Sequence, residues 1–254
     1  MTIAISPDVR IILGNATIEG NVLKLSGQLD RSAYVQVNKV LEGLGGRWNR
    51  GKGGHIFQTD PSELLAGVLE DGSYVNRQKN LQLFETPADL AERMVEIASV
   101  SMGDLALEPS AGRGRLVLPL LKRGAKVCAV DIDAQNVGVL KSIVGDLDVT
   151  CADFLEWGER QVGDDAIYDA IVMNPPFSND QAARHTMFAW QLLKPGGRLV
   201  SICDAGVFYR DRGLAPKFRQ WMDSIRAEME RMAAGTFRSS GTDVASCLIW
   251  ATKF

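Results

Sequence analysis

The chain has 254 residues, a formal net charge of −3 and a hydrophobic fraction of 46%. This length accommodates one large α/β domain and a small extra module, and the hydrophobic fraction is typical of a globular protein with a sizeable core. The modest negative charge excludes a strongly basic tail, so any contact with phosphate groups has to come from local clusters of cations.

No apolar run approaches the roughly 18 residues of a membrane span, so we expect no membrane association. The first residues lack the basic and apolar regions of a signal peptide. The four cysteines are widely spaced and stand apart from the two histidines. This pattern predicts buried thiols in a reducing cytoplasm and no metal site.

Residues 1–80 have the pattern of a small α+β module. Apolar and polar residues alternate over 21–29, which predicts a strand, and helical spacing over 31–46 ends at two glycines. A basic, glycine-broken turn and a short strand follow over 47–59. Pro61 and Ser62 open a second predicted helix.

Residues 81–254 form the second predicted domain. It opens on an amphipathic helix over 86–100, with Thr86 as the expected N-cap and Pro87 at the first helical position. Strand-like runs then alternate with helical stretches, which predicts a mostly parallel sheet with right-handed crossovers. The predicted strands cover 104–110, 125–133, 147–154, 168–176 and 197–204, with a closing hairpin at 230–237 and 245–254. Two of the predicted helices cover 180–197 and 215–230.

The first candidate binding motif is LEPSAGRGRL, where the first predicted strand turns into a helix. Gly112 and Gly114 let the backbone pass close to a ligand, and the amides of the turn point toward it. Glu108 beside the turn supplies a carboxylate that can hold an ammonium-bearing ligand. The alternative interpretation of the motif alone is a simple tight turn.

Acidic residues follow the next two predicted strands. Asp131 has the spacing from the glycine turn that suits the ribose hydroxyls of a nucleoside cofactor, whereas Asp133 fits a helix N-cap better. Asp153 can accept a hydrogen bond from an adenine amine, or it is an ordinary turn aspartate.

The fourth motif is NPPF, at the end of the fourth predicted strand. Two prolines cannot continue a central strand, so they shape a rigid lip at the edge where α/β proteins bind ligands. The side-chain oxygen of Asn174 and the carbonyl of Pro175 can together accept both hydrogens of one amine. Phe177 offers a face for a planar base.

These motifs, in order with the preceding FETPADLAERMVEIA segment, resemble the gamma-group adenine-N6 DNA methyltransferases. The resemblance covers about residues 84–254 and implies a Rossmann-like class I methyltransferase fold. That fold has a mostly parallel seven-stranded sheet with an antiparallel C-terminal strand. The resemblance also implies S-adenosylmethionine as cofactor and duplex DNA as partner.

The resemblance assigns roles to individual residues. The segment before the first strand encloses the cofactor, the glycine turn holds its methionine part, and the two acids contact its ribose and its adenine. The expected cofactor-binding residues are Phe84, Thr86, Pro87, Glu108, Ser110, Gly112, Gly114, Asp131, Ile132, Asp153, Phe154 and Asn174. The expected catalytic residues are Asn174, Pro175, Pro176 and Phe177.

The expected reaction is methyl transfer to the N6 amine of an adenine that has been flipped out of the duplex. By resemblance to a later aromatic motif of the family, Phe237 is expected on the second face of the base; a core aromatic on an edge strand is the alternative. The sequence has no Pro-Cys pair, which disfavours the covalent route of cytosine carbon-5 methylation.

Many family members carry a long target-recognition domain after the catalytic region, and only a short segment follows here. Recognition is therefore expected to be weak, supplied by a partner, or carried by the N-terminal module. In that module Arg47, Arg50 and Lys52 surround Trp48, a combination that suits backbone contact and base stacking. The alternative is a solvated hairpin tip. A second basic loop, 208–219, is either a nucleic-acid contact or an ordinary helix start.

Three alternatives remain beside the DNA adenine methyltransferase. The same fold can methylate an RNA base, at guanine N2 or adenine N6, or a protein glutamine amide. Cytosine N4 in DNA is a further possible target. The third alternative is a non-catalytic, methyltransferase-like binding subunit. An altered Asn174 or a missing Asp131 would favour this alternative, but both residues are present in the sequence.

Overall fold

The computed structural model describes residues 2–57, 59–76, 84–161, 167–238 and 243–254. The chain divides into two compact units, Met1–Leu83 and Phe84–Phe254. Within the described residues, every helix is too short or too polar to cross a membrane.

In its described residues, the N-terminal unit combines helices with short antiparallel strands. Strands β2, β3, β5 and β4 form one sheet in that spatial order, and β1 pairs with β6. The elements in chain order are β1 (Thr2–Ala4), α1 (Pro7–Gly14), β2 (Thr17–Glu19), β3 (Val22–Lys24), α2 (Arg31–Gly43), β4 (Arg47–Asn49), β5 (Gly54–Ile56), α3 (Ser62–Asp71) and β6 (Ser73–Val75).

Side-chain caps and a common core organise this unit. Ser6 and Asp30 accept hydrogen bonds from the first backbone amides of α1 and α2, respectively. Leu13, Leu23 and Leu41 are buried at the centre of its core. The strand within 21–29 and the helices over 31–46 and after Pro61 were predicted from the sequence and are present as β3, α2 and α3, whereas α1 was not predicted.

The C-terminal unit alternates strands with helices. Its elements are α4 (Ala88–Ile97), β7 (Leu105–Glu108), α5 (Val117–Lys122), β8 (Lys126–Asp131), α6 (Ala134–Ile143), β9 (Asp148–Cys151), α7 (Phe154–Glu159), β10 (Tyr168–Met173), α8 (Gln181–Ala189), β11 (Leu193–Asp204), α9 (Ala215–Ser224), β12 (Glu228–Arg231) and β13 (Ser246–Thr252).

The seven strands of this unit form one sheet in the order β12-β13-β11-β10-β7-β8-β9. Strand β13 is antiparallel to both of its neighbours, and the pairs among β7 to β11 are parallel. The predicted Rossmann-like sheet with an antiparallel C-terminal strand is confirmed. The chain leaves β7 toward β8 on one side and returns to β10 on the other, so the carboxyl ends of these strands flank a topological switch point.

Two helix predictions were too long at their C-terminal ends. The helix over 180–197 ends at Ala189, and after a 3₁₀ turn the chain enters β11 at Leu193. The Nζ of Lys253 donates hydrogen bonds to the backbone oxygens of Trp190 and Leu193, which fixes the chain at this change of direction.

The helix over 215–230 ends at Ser224, and Arg226 takes a left-handed backbone conformation with φ +54°. Residues Glu228–Arg231 then form strand β12 against β13, so the strand expected over 230–237 begins earlier and ends at Arg231. Backbone pairing at the sheet edge outweighs the helical propensity of this polar segment.

The packing around Gly158 of α7 gives a stability prediction. An added Cβ would lie 2.2 Å from the ring of Phe188, whereas Gly138 of α6 has nothing within 4 Å. We expect Gly158→Ala to destabilise the protein by about 1–3 kcal/mol through overpacking. We expect Gly138→Ala to stabilise it by about 0.5–1 kcal/mol through helix propensity. Urea unfolding of the full chain measures both effects, and equal effects would contradict this packing.

Candidate active site

The glycine turn after β7 is fixed from both sides. Gly112 and Gly114 have positive φ angles, +52° and +88°, and an added Cβ at Gly114 would lie 2.7 Å from Leu140. The amide of Ala111 donates to the carbonyl of Val130 at 2.9 Å. A side chain larger than hydrogen at Gly114 would therefore have to displace the buried side chain of Leu140, in addition to adopting a positive φ angle.

Glu108, the last residue of β7, is a buried carboxyl group at the start of this turn. It is 1% exposed, and its Oε1 accepts a hydrogen bond from the amide of Ser110 at 3.0 Å. Burial raises the pKa of Glu108 to about 8, and the charge of Asp131 contributes in the same direction. The site therefore favours a cationic group that can pair with this carboxylate.

Asp131 ends β8 and faces the same turn. It accepts hydrogen bonds from the amide of Gly112 at 2.6 Å, the amide of Asp133 at 2.8 Å and the Nδ2 of Asn136 at 3.0 Å. Burial raises its pKa, while these three hydrogen bonds oppose that shift. Ile132 follows with 55% exposure, and so presents an apolar surface to solvent at this edge.

Asp133 and Asp153 both act as helix N-caps. Asp133 accepts from the amide of Gln135 at the start of α6, as predicted. Asp153 accepts from the amides of Leu155 and Glu156 at the start of α7, and both bonds use Oδ1. The expected contact of Asp153 with the cofactor adenine stays a proposal. The ring of Phe154 is buried against aromatic neighbours.

Asn174 follows β10, and its side-chain amide is held in one orientation. Its Nδ2 donates to the backbone oxygen of Phe84 at 2.8 Å and to the Oγ1 of Thr86 at 3.1 Å. A backbone carbonyl can only accept, so the NH2 group must face Phe84 and the side-chain oxygen must point elsewhere. Asn174 therefore offers its Oδ1 as an acceptor.

The same contact corrects one prediction. Thr86 is not the N-cap of α4: the helix begins at Ala88, Pro87 occupies the cap position, and no side chain caps it. The hydroxyl of Thr86, which is 3% exposed, contacts Asn174 instead. This interaction joins residues 88 positions apart in the chain, which no local pattern predicts.

Glu85 connects this segment to the glycine turn. Its carboxylate lies 3.1 Å from the Nη2 of Arg115 and 3.7 Å from the Nη1 of Arg113. The segment of residues 84–87 is therefore bonded both to the glycine turn and to Asn174. Glu85 is not among the predicted site residues, although it lies between two of them, Phe84 and Thr86, in the sequence.

The aromatic rings of Phe177 and Phe237 pack edge to face, with ring centroids 6.2 Å apart. Phe177 is 8% exposed and Phe237 is 1% exposed, so both belong to the core in this conformation. Pro175 is buried and Pro176 is half-buried. Stacking of a base on either ring requires the two rings to separate.

The basic turn of the N-terminal unit is exposed. Trp48 lies on the edge strand β4 with 48% exposure, and its ring packs edge-on against His55 at 5.3 Å and Tyr34 at 6.3 Å. Arg47, Arg50 and Lys52 are exposed. The structure therefore presents an aromatic ring beside three cations on one hairpin.

The basic loop over 208–219 is largely engaged with its own unit. Arg210 pairs with Asp180 and Asp204, and Arg219 pairs with Asp211 and donates to the carbonyl of Val207. These two guanidinium groups are thus committed to internal partners.

The residues at the carboxyl edge fit S-adenosylmethionine. The buried Glu108 suits its cationic amino acid part, the glycine turn allows close backbone approach, and the exposed Ile132 suits an apolar contact with its nucleoside. The sheet order and these groups at the switch point are those expected of the S-adenosylmethionine-dependent methyltransferase fold.

Comparison with known proteins identifies the family. A family model, the methyltransferase small domain, matches residues 90–228. This match covers more than half of the chain, and the protein belongs to that family.

Curated relatives match part of the chain. It is 35% identical over 119 residues to the probable ribosomal RNA small subunit methyltransferase A of Methanopyrus kandleri, covering 46% of this chain and 41% of that protein. It is 34% identical over 138 residues to the ribosomal RNA small subunit methyltransferase C of Chromohalobacter salexigens, covering 48% and 39%. The chain thus matches about two fifths of the length of these relatives.

Solved structures share the fold. A type I restriction-modification system methyltransferase subunit from Streptococcus thermophilus has a TM-score of 0.58 at 16% identity, covering 76% of this chain and 50% of that one. A modification subunit of a putative type I restriction enzyme from Vibrio vulnificus has a TM-score of 0.56 at 16% identity, covering 88% and 53%.

The buried carboxyl of Glu108 predicts proton release on cofactor binding. Below about pH 8 the free protein holds this group protonated, and a bound cation favours the carboxylate. The affinity for S-adenosylmethionine should therefore rise as the pH approaches 8, and it should fall again where the α-ammonium group of the cofactor, with a pKa of about 8, loses its proton. Calorimetry at pH 7 in two buffers of different ionisation enthalpy counts the released protons.

Glu108→Gln is the matched control, because it keeps the size of the side chain and removes its titration. The difference in proton count between the two proteins therefore measures the titration of Glu108. An equal proton count in the wild type and the variant would exclude the role of Glu108.

Proposed function

We propose that the protein transfers a methyl group from S-adenosylmethionine to the exocyclic amine of a nucleic-acid base, with adenine N6 in DNA as the preferred target. The observation that carries the proposal is the fixed amide of Asn174. Its NH2 group donates hydrogen bonds to Phe84 and Thr86, which leaves its oxygen as an acceptor in the residue that precedes Pro175.

This arrangement suits an amine that is a poor nucleophile. The lone pair of an aromatic amine is delocalised into the ring, and accepting both of its hydrogens favours the pyramidal nitrogen that can attack. Asn174 Oδ1 and the carbonyl of Pro175 are the two proposed acceptors. When bound, the cofactor would supply an electrophilic sulfonium methyl group. The S–CH3 bond would break as the N–C bond forms, S-adenosylhomocysteine would leave, and the amine would lose one proton to solvent.

The base has to leave its stack to reach this edge, so flipping is part of the proposal. Phe177 is the proposed stacking partner, and Phe237 is the proposed second partner after the two rings separate. Their present edge-to-face packing protects apolar surface until a base takes the place of one ring.

RNA is the second candidate substrate. The curated relatives named above are ribosomal RNA methyltransferases, with higher identity than the restriction-modification subunits. The DNA target is supported by the resemblance of the FETP segment and NPPF to the gamma group. The geometry at Asn174 serves an adenine amine in either polymer.

We further propose that the β4 hairpin contacts the polymer. Trp48 supplies a stacking face, and Arg47, Arg50 and Lys52 supply phosphate contacts. Both neighbouring rings hold Trp48 in place, so little side-chain freedom is lost when a base stacks on it.

Labelled methyl transfer to unmethylated duplex DNA, single strands and structured RNA tests the proposed reaction. Products are digested to nucleosides and identified by mass. We expect N6-methyladenine in DNA, and a loss of about 100-fold or more with Asn174→Ala. Asn174→Asp should also be strongly impaired, because a carboxylate oxygen would face the carbonyl of Phe84.

Each outcome separates the candidates. N6-methyladenine found only in RNA would identify RNA, the second candidate, as the substrate. Methylation at a ring carbon, or activity that survives Asn174→Ala in a folded protein, would contradict the amine mechanism. No transfer to any polymer, with intact cofactor binding, would redirect the search to a protein glutamine amide.

The hairpin contact predicts a change in KM without a change in kcat. Trp48→Ala should raise the KM for the polymer about tenfold, since base stacking on an aromatic ring contributes about 1–3 kcal/mol. Ile11→Ala, an equally simple truncation of an exposed apolar residue in the same unit, is the control. An unchanged KM for Trp48→Ala in a folded protein would remove the hairpin from the binding surface.

A further inference from the structure

The turn after NPPF has an unusual backbone. Asn179 and Asp180 take positive φ angles, +54° and +57°, a conformation that L side chains rarely adopt. Asp180 follows Phe177 by three positions. Such a conformation persists only where surrounding contacts hold it, and the carboxylate of Asp180 makes contacts of this kind.

Arg210 is the main partner of Asp180 and joins it to a second strand. Its Nη2 lies 2.9 Å from Asp180 Oδ1, and its Nη1 lies 2.8 Å from the Oδ1 of Asp204, the last residue of β11. The amide of Leu214 donates to the other oxygen of Asp180 at 2.8 Å. The turn after β10 and the loop after β11 are thus connected by charged hydrogen bonds.

Two glycines leave the space that this network occupies. A Cβ added at Gly206 would lie 2.6 Å from Arg210 Nη1, and one added at Gly213 would lie 2.2 Å from Asp180 Oδ2. Arg219 supports the same loop by donating to the backbone oxygen of Arg210 at 2.7 Å. The loop is therefore built around the guanidinium group, and the Arg210 side chain remains 32% exposed.

We propose that Arg210, with Asp180 and Asp204, is a positioning clamp that holds the NPPF turn in its working geometry. The inference rests on the proposed function of Asn174, and it assigns Arg210 no contact with substrate. Strands β10 and β11 are parallel neighbours, so their loops leave the sheet side by side at the edge that carries Asn174. Without Arg210, two partly buried carboxylates would be left there unpaired, and the loops would separate.

Arg210→Ala tests the clamp against a matched control at the opposite end of the same strands. Lys194→Ala breaks the ion pair with Asp169, 2.8 Å long, which joins β10 and β11 near their amino ends. We expect Arg210→Ala to lower kcat about 10- to 100-fold, with little change in polymer KM or cofactor affinity, because a displacement of about 1 Å has this cost. Lys194→Ala should keep the wild-type kcat.

Arg210→Lys should recover part of the lost kcat, because a lysine can pair with one carboxylate but cannot bridge both in a fork. Arg210→Lys also tests the clamp if the Arg210→Ala protein fails to fold. An unchanged kcat in either folded variant would overturn the clamp. A raised KM with unchanged kcat would overturn it as well, since Arg210 would then be a substrate contact.

Hydrogen exchange of the backbone amides in residues 174–181 measures how firmly Arg210 holds this segment, and it needs no substrate. Faster exchange confined to this segment and to the loop after β11 in Arg210→Lys would support the inference, and unchanged exchange would overturn it. If the wild type methylates no polymer, the proposed function is wrong, but hydrogen exchange still shows whether Arg210 positions the NPPF turn.

Discussion

One constraint, the two hydrogen bonds donated by the side-chain amide of Asn174, links the motifs of the catalytic unit. The backbone oxygen of Phe84 has no hydrogen to give, so it sets which end of the amide faces it. Thr86 reinforces the same orientation, and Glu85 between them bonds to the arginines of the glycine turn. A segment far from β10 in the chain thereby determines which atom Asn174 can offer to an amine.

The electrostatics of the carboxyl edge complement this arrangement. Glu108 and Asp131 are buried close to one turn, and burial raises the pKa of each carboxyl. Two such groups without a cation are costly, so the free site is prepared for a positively charged ligand. The ammonium group of S-adenosylmethionine has that charge, so the buried Glu108 suits its amino acid part.

The sequence predicted the sheet and the motif positions because each parallel strand is a continuous apolar run followed by a polar motif, as at Asp131 and Asn174. It failed where a distant partner decides the local structure. Threonine often caps helices, but the hydroxyl of Thr86 instead accepts a hydrogen bond from Asn174. Residues 228–231 have helical propensity, but they pair with β13. Arg210 was grouped with a basic loop because its carboxylate partners, Asp180 and Asp204, come from two different strand ends.

The orientation of Asn174 is the central claim, and side-chain amide NMR of the asparagine-labelled protein tests it most directly. Asn174→Ala identifies the signal by its loss. The account predicts that the NH2 protons of Asn174 exchange slowly and show nuclear Overhauser contacts to Phe84 and Thr86. Rapid exchange without contacts to either residue would contradict it, because the side-chain oxygen would then have no fixed direction.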